Sequence, residues 1–123
     1  MIKRFLLLVF LLSTHFIWSQ QIPKNHATEL LLNADPKRVE HIIKFAHSKW
    51  GDDKDAIEYE VEKQSYCYIM IYALLQNPET STTDQLIIRQ EILRGAKDFN
   101  NDNFEDVDWF DVFRNINQKL KKE

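Results

Sequence analysis

The residues best suited by type and spacing to chemistry lie between Asp98 and Trp109, where DFNNDNFEDVDW offers an oxygen-bearing side chain at almost every other position. Hard cations such as Ca²⁺ take several oxygen ligands, and a short loop of alternating carboxylates and amides can wrap them around one ion. Counted from Asp98, positions 1, 3, 5 and 9 are Asp98, Asn100, Asp102 and Asp106. Asn103, at position 6, tolerates the left-handed backbone that a tight turn needs.

This spacing resembles an EF-hand or dockerin-type loop between two helices. Two positions depart from that pattern. Glu105 stands at position 8, where an apolar residue is usual, and Trp109 stands at position 12 in place of the bidentate carboxylate. The resemblance spans one loop and implies a weak calcium site, with Asp108 or Asp111 supplying the missing carboxylate. The same Asp/Asn density also suits an acidic cap for the following helix.

Other chemistry is sparsely marked. His26, His41 and His47 follow the apolar N-terminal run, but no H-E-x-x-H or C-x-x-C spacing is present. On a helix from Pro36 to Trp50, His41 falls nearly opposite the apolar stripe and His47 at its edge, so the two do not converge. Cys67 is the single cysteine and lies in the apolar run Tyr66–Met70, which predicts a small buried side chain with an inert thiol. There is no G-x-S-x-G and no glycine-rich phosphate loop. A small hydrolytic enzyme would have to draw on scattered carboxylates and His47.

The segment Asp52–Glu62 combines six carboxylates (Asp52, Asp53, Asp55, Glu58, Glu60, Glu62) with Ile57, Tyr59 and Val61. Its carboxylate density also fits a solvated, acidic helix start. Phe45 falls well away from the apolar stripe of the preceding helix. Exposed aromatics rimmed by charge have the composition of a protein-binding patch, so Asp52, Asp53, Asp55, Glu58, Tyr59, Glu62 and Phe45 form the expected partner-facing surface. In size, acidity and want of catalytic signatures the chain resembles the immunity proteins and periplasmic inhibitors that block a secreted toxin or hydrolase. The resemblance is one of class and implies a basic protein partner.

These residues must be positioned by helices. A chain of 123 residues suits one domain, and with 2 Gly and 3 Pro it lacks the turn-forming residues that an all-β fold requires. His26–Leu32 reads as a short helix ending near Asn33. Asp35-Pro36 supplies a cap and a first-turn proline, and Val39, Ile42, Ile43, Ala46 and Trp50 recur along one helical stripe stopped by Gly51. A long helix follows from about Asp55 to Gln76, with Ile57, Val61, Tyr68, Tyr72 and Leu75 on one face. Its second half is apolar all round and is read as the central element. The competing hairpin would turn at Glu62–Ser65, which offers no residue for positive φ. After Asn77-Pro78, Thr83 or Asp84 caps a helix carrying Ile88, Ile92, Ala96 and Phe99. Trp109, Phe113, Ile116 and Leu120 mark the last. The expectation is an all-α, compact bundle of four main helices plus a short N-terminal helix, occupying residues 20–123.

Residues 1–19 read as a cleaved signal peptide: Lys3 and Arg4, then the apolar run Phe5–Leu12, then a mixed stretch cut after Ser19. That run is far shorter than the roughly 20 apolar residues of a membrane span. Removing it takes two basic residues and no acidic one, moving the formal charge from −3 to −5. An acidic periplasmic or secreted protein repels phosphate backbones and anionic lipid, which disfavours nucleic acid and membranes as partners.

The calcium reading has a direct check in thermal melting. Millimolar Ca²⁺ should stabilise the fold by about 0.4 kcal/mol when the free ion equals its dissociation constant, and by about 2.7 kcal/mol at hundredfold excess. Asp98→Asn and Asp102→Asn should abolish the difference from chelator. Equal midpoints with and without Ca²⁺ in the unaltered protein would retire the site.

Overall fold

The computed structural model describes residues 26–96 and 106–121. Among the described residues five helices follow in chain order: α1 (Ala27–Ala34), α2 (Pro36–Trp50), α3 (Lys54–Gln76), α4 (Thr82–Gly95) and α5 (Trp109–Lys121). There is no strand among the described residues. α3 runs unbroken through Glu62–Ser65, so the hairpin alternative is excluded. It packs against each of the other four helices, with α1 and α2 paired on one side and α4 and α5 on the other. No helix among the described residues is long and apolar enough to cross a membrane.

Local chemistry sets the boundaries. The Asp35 carboxylate accepts from the Arg38 N–H at 3.1 Å, and Pro36 begins α2 where a missing N–H costs nothing. Gly51 ends that helix at φ 63°, the left-handed region that strains any residue with a Cβ. Asp53 caps α3 by accepting from Ala56 N–H, so α3 starts one residue earlier than the sequence reading placed it. Ser81, rather than Thr83 or Asp84, caps α4 through the Asp84 N–H.

The core joins Leu31 from α1, Val39, Ile42 and Ala46 from α2, Ile69 and Ile71 from α3, Ile88 and Ile92 from α4, and Trp109, Val112 and Ile116 from α5. Burying each of the larger side chains contributes roughly 1.5–3 kcal/mol. Trp109 lies edge-on to Tyr68 with ring centroids 4.9 Å apart, and Tyr68 tilts against Tyr72 at 4.7 Å. The Arg38 guanidinium sits 5.2 Å from the Tyr68 centroid and 5.6 Å from that of Trp109, closing the cluster from α2. Cys67 is buried as expected, and burial pushes its thiol pKa up to about 12, against the opposing charge of Lys63.

The α2 stripe departs from its predicted membership. His41 is buried, whereas Ile43 and Trp50 are substantially exposed. A single helix-wheel stripe assumes one covering surface, but α2 packs against both α1 and α3, which widens and rotates the buried arc.

α5 approaches α4 closely at Gly95, where a Cβ would clash with Val112 Cγ2. Gly95→Ala should therefore destabilise the fold by about 1–3 kcal/mol despite the better helix propensity of alanine. Denaturant midpoints check this, and Val112→Ala added to Gly95→Ala should cost less than the sum of the single changes.

Candidate functional site

The expected partner-facing residues divide into two groups once folded. Asp52, Asp55, Glu58 and Tyr59 are exposed at the α2–α3 corner. Asp53 is also exposed, but its carboxylate is occupied as the α3 cap. Phe45 is half-buried, with Lys49 Nζ 6.0 Å from its ring centroid.

Two members of the acidic run do not belong to the outer surface. Glu62 turns toward α1, where its Oε2 accepts from Ala27 N–H at 2.7 Å and its Oε1 from Thr28 N–H at 3.1 Å and Thr28 Oγ1 at 2.8 Å. It caps a helix whose preceding residue, His26, makes no side-chain cap, and the negative charge suits the N-terminal end of the α1 dipole. Glu60, counted in the sequence reading within the solvated start, is fully buried.

Glu60 is the centre of the corner. Its Oε1 accepts from Trp50 Nε1–H at 3.0 Å and lies 3.3 Å from Lys49 Nζ and 3.6 Å from Lys63 Nζ. Its Oε2 accepts from Gln64 Nε2–H at 2.7 Å. Burial pushes the Glu60 pKa up, but the bonds from Trp50 and Gln64 and the charges of Lys63 and Lys49 outweigh it, holding the pKa below the ordinary carboxylate value. Gln64 is equally buried and continues the chain. Its Nε2 also donates to Asp108 Oδ1 at 2.9 Å, and its Oε1 accepts the Trp109 N–H at 2.6 Å. Asp108 in turn accepts from Asp111 N–H at 3.1 Å, capping α5.

The lysines on Glu60 carry an aromatic rim. Lys49 Nζ is 5.5 Å from the Trp50 ring centroid, while Lys63 Nζ is 5.5 Å from that of Tyr59 and 4.5 Å from that of Phe110. Tyr59 is 68% exposed, Trp50 42% and Phe110 37%. One ring each from α2, α3 and α5 thus lies beside a lysine that pairs with the same buried carboxylate. Lys49, Trp50, Glu60, Lys63, Gln64 and Phe110 were not singled out from sequence as site residues. The Glu60/Gln64 spacing of one helical turn was the available sign, but it is common on solvated helices.

The calcium ligands Asp98, Asn100 and Asp102 lie outside the described residues, while Asp106 is described and exposed. Both suggested replacement carboxylates have protein partners: Asp108 on Gln64 and the Asp111 N–H, and Asp111 on Arg114. Among the described residues no group of three or more His, Cys, Asp or Glu side chains is arranged to hold a metal ion. His47 is exposed on the last turn of α2, and among the described residues no hydrogen bond joins it to a carboxylate.

A second buried carboxylate joins α4 to α5. Glu91 accepts from Arg94 Nε at 2.7 Å and pairs with Lys119 Nζ at 2.6 Å. Burial raises its pKa, but the bonds and charges of Lys119 and Arg94 prevail and lower it. Because Glu60 and Glu91 both have depressed folded pKa values, each stabilises the fold above the unfolded glutamate pKa of about 4.3, and the contribution is lost as pH falls through the folded value. Urea midpoints should hold near neutrality and fall below about pH 4. Glu91→Gln should cost about 1–3 kcal/mol at pH 7 and flatten the acid limb.

No protein-family model matches the chain, and no curated protein or solved structure shows significant similarity to it.

Proposed function

We propose that the chain is a small, exported, non-enzymatic binding protein whose contact surface is the α2–α3 corner and the adjoining start of α5. The observation that carries this reading is three exposed rings at one corner, Trp50 bonded to the buried Glu60 and beside Lys49, and Tyr59 and Phe110 beside Lys63, both lysines pairing with Glu60. Aromatic side chains held rigid in the free protein bind at low entropic cost and are frequent energetic centres of interfaces. Exposed Asp52, Asp55 and Glu58 at the same corner favour a partner with basic groups opposite them, such as a basic toxin or hydrolase. Residues 1–19 serve as the export signal, which places the protein in the periplasm or outside the cell.

Capture from native extract onto the immobilised mature chain tests the assignment. Tyr59→Ala should reduce retention of the captured partner by about tenfold or more. Reversal of Asp52, Asp55 and Glu58 to Lys should remove the salt-sensitive part of binding. Asp53 is left intact because it caps α3. Retention indifferent to both changes and to salt would overturn the reading.

A further inference from the structure

Asp55, Glu58 and Glu62 stand at i, i+3 and i+7 along α3, one stripe of carboxylates with Tyr59 at its edge. The first two are exposed, but the third is occupied from within the chain by the N-terminal end of α1. The Ala27 and Thr28 N–H groups and the Thr28 hydroxyl all donate to Glu62, and Thr28 Oγ1 also donates to Ser65 Oγ at 3.4 Å. A helix N-terminus is the positive end of its dipole, so α1 meets Glu62 much as a cation would. We propose that α1 is a displaceable strap, holding Glu62 in the way that a cationic group of the partner holds it once α1 has undocked from a body, α2–α5, that stays folded. The proposal rests on the α2–α3 corner being the contact surface and adds the device that regulates it.

Three features let α1 leave as a unit. Its 8 residues are too few for an independent helix, and Ala27 and Leu31 are its buried anchors. At its other end Asp35 has φ −152° and ψ 75°, outside the helical region, and Pro36 disfavours helical backbone at the residue before it. α2 therefore lends α1 no helical cooperativity, and the Asp35 carboxylate on the Arg38 N–H keeps the first turn of α2 closed without it. The bonds that join the other helices have no member on α1: the Glu60–Gln64–Asp108 array, the edge of Trp109 on Tyr68, and Glu91 with Arg94 and Lys119. Undocking uncovers Leu31 and the fully buried Ser65, and leaves Glu62 in line with Asp55 and Glu58. The lost apolar burial keeps α1 docked in the free protein. A partner that engages Glu62 shifts the balance, because a ligand favours the state it binds more tightly.

Hydrogen exchange on the mature chain, together with binding of a fluorescent oligoarginine peptide, tests the proposal. The Asp35 amide, bonded to Leu31 O, should exchange through a local opening that low urea does not accelerate, while the Ile69 and Ile71 amides of α3 exchange only with global unfolding. Leu31→Ala should loosen α1 and raise affinity for the peptide by about threefold or more. Thr28→Cys with Ser65→Cys, oxidised to a disulfide, should tie α1 down and lower affinity by a similar factor. Buried Cys67, its thiol pKa pushed up to about 12, stays out of that oxidation. Neither change alters the charge of the stripe, so the difference reports access to Glu62, and Glu62→Gln added to Leu31→Ala should cancel the gain. Circular dichroism should show α2–α5 still helical in Leu31→Ala; a chain that unfolds altogether shows the strap inseparable from the body and overturns the proposal. So does exchange of the α1 and α3 amides in one common event, or an affinity that Leu31→Ala and the disulfide both leave unchanged. If peptide binding then still falls on reversal of Asp52, Asp55 and Glu58 to Lys, only the strap is excluded. If that reversal has no effect either, the contact surface itself is excluded.

Discussion

A buried amide or carboxylate is tolerated only when its hydrogen-bonding capacity is met, and that constraint organises this bundle around Glu60 and Gln64. Each lies on α3, and each reaches an element that α3 does not follow directly in sequence or that lies beyond a turn. Glu60 fixes Trp50 at the end of α2. Gln64 uses both donors and its acceptor on Glu60, Asp108 and the Trp109 N–H. Losing one member leaves the others buried without partners, which makes the array cooperative. Apolar packing supplies most of the driving force, but it is indifferent to small rotations and slides. Directional bonds of this kind are not, and they hold α2, α3 and α5 in one arrangement.

The same array connects fold to surface. Two lysines come to Glu60 because a buried carboxylate draws cations, and their stems and heads then organise the rings of Trp50, Tyr59 and Phe110. At the opposite end of α5, Glu91 performs a comparable service for Arg94 and Lys119 but presents no ring cluster.

Helix identity was legible because local signals agree with tertiary demand. Asp35-Pro36 and Gly51 mark α2 through short-range chemistry alone, and the predicted ends coincide with the observed ones. The length of α3 was also readable, from its all-round apolar second half and the absence of turn chemistry. Tertiary bonding was hidden. Glu58, Glu60 and Glu62 look alike in sequence, yet one is exposed, one is buried under two lysines and one caps a helix far away in the chain. Their differences arise from which neighbour each meets, and helical periodicity alone does not encode that. The exposure of Tyr59 was anticipated, while its coupling to Phe110 through Lys63 depends on how α5 docks.

The Glu62 cap has a consequence for the order of assembly. α1 is 8 residues long, well below the length at which an isolated helix persists in water, and the carboxylate that satisfies its first N–H groups lies 35 residues downstream of Ala27. The earliest helix in the described chain is therefore among the last that can form. The segment stays unstructured chain until the middle of α3 has folded, and local unfolding of the finished protein should begin there by the same logic.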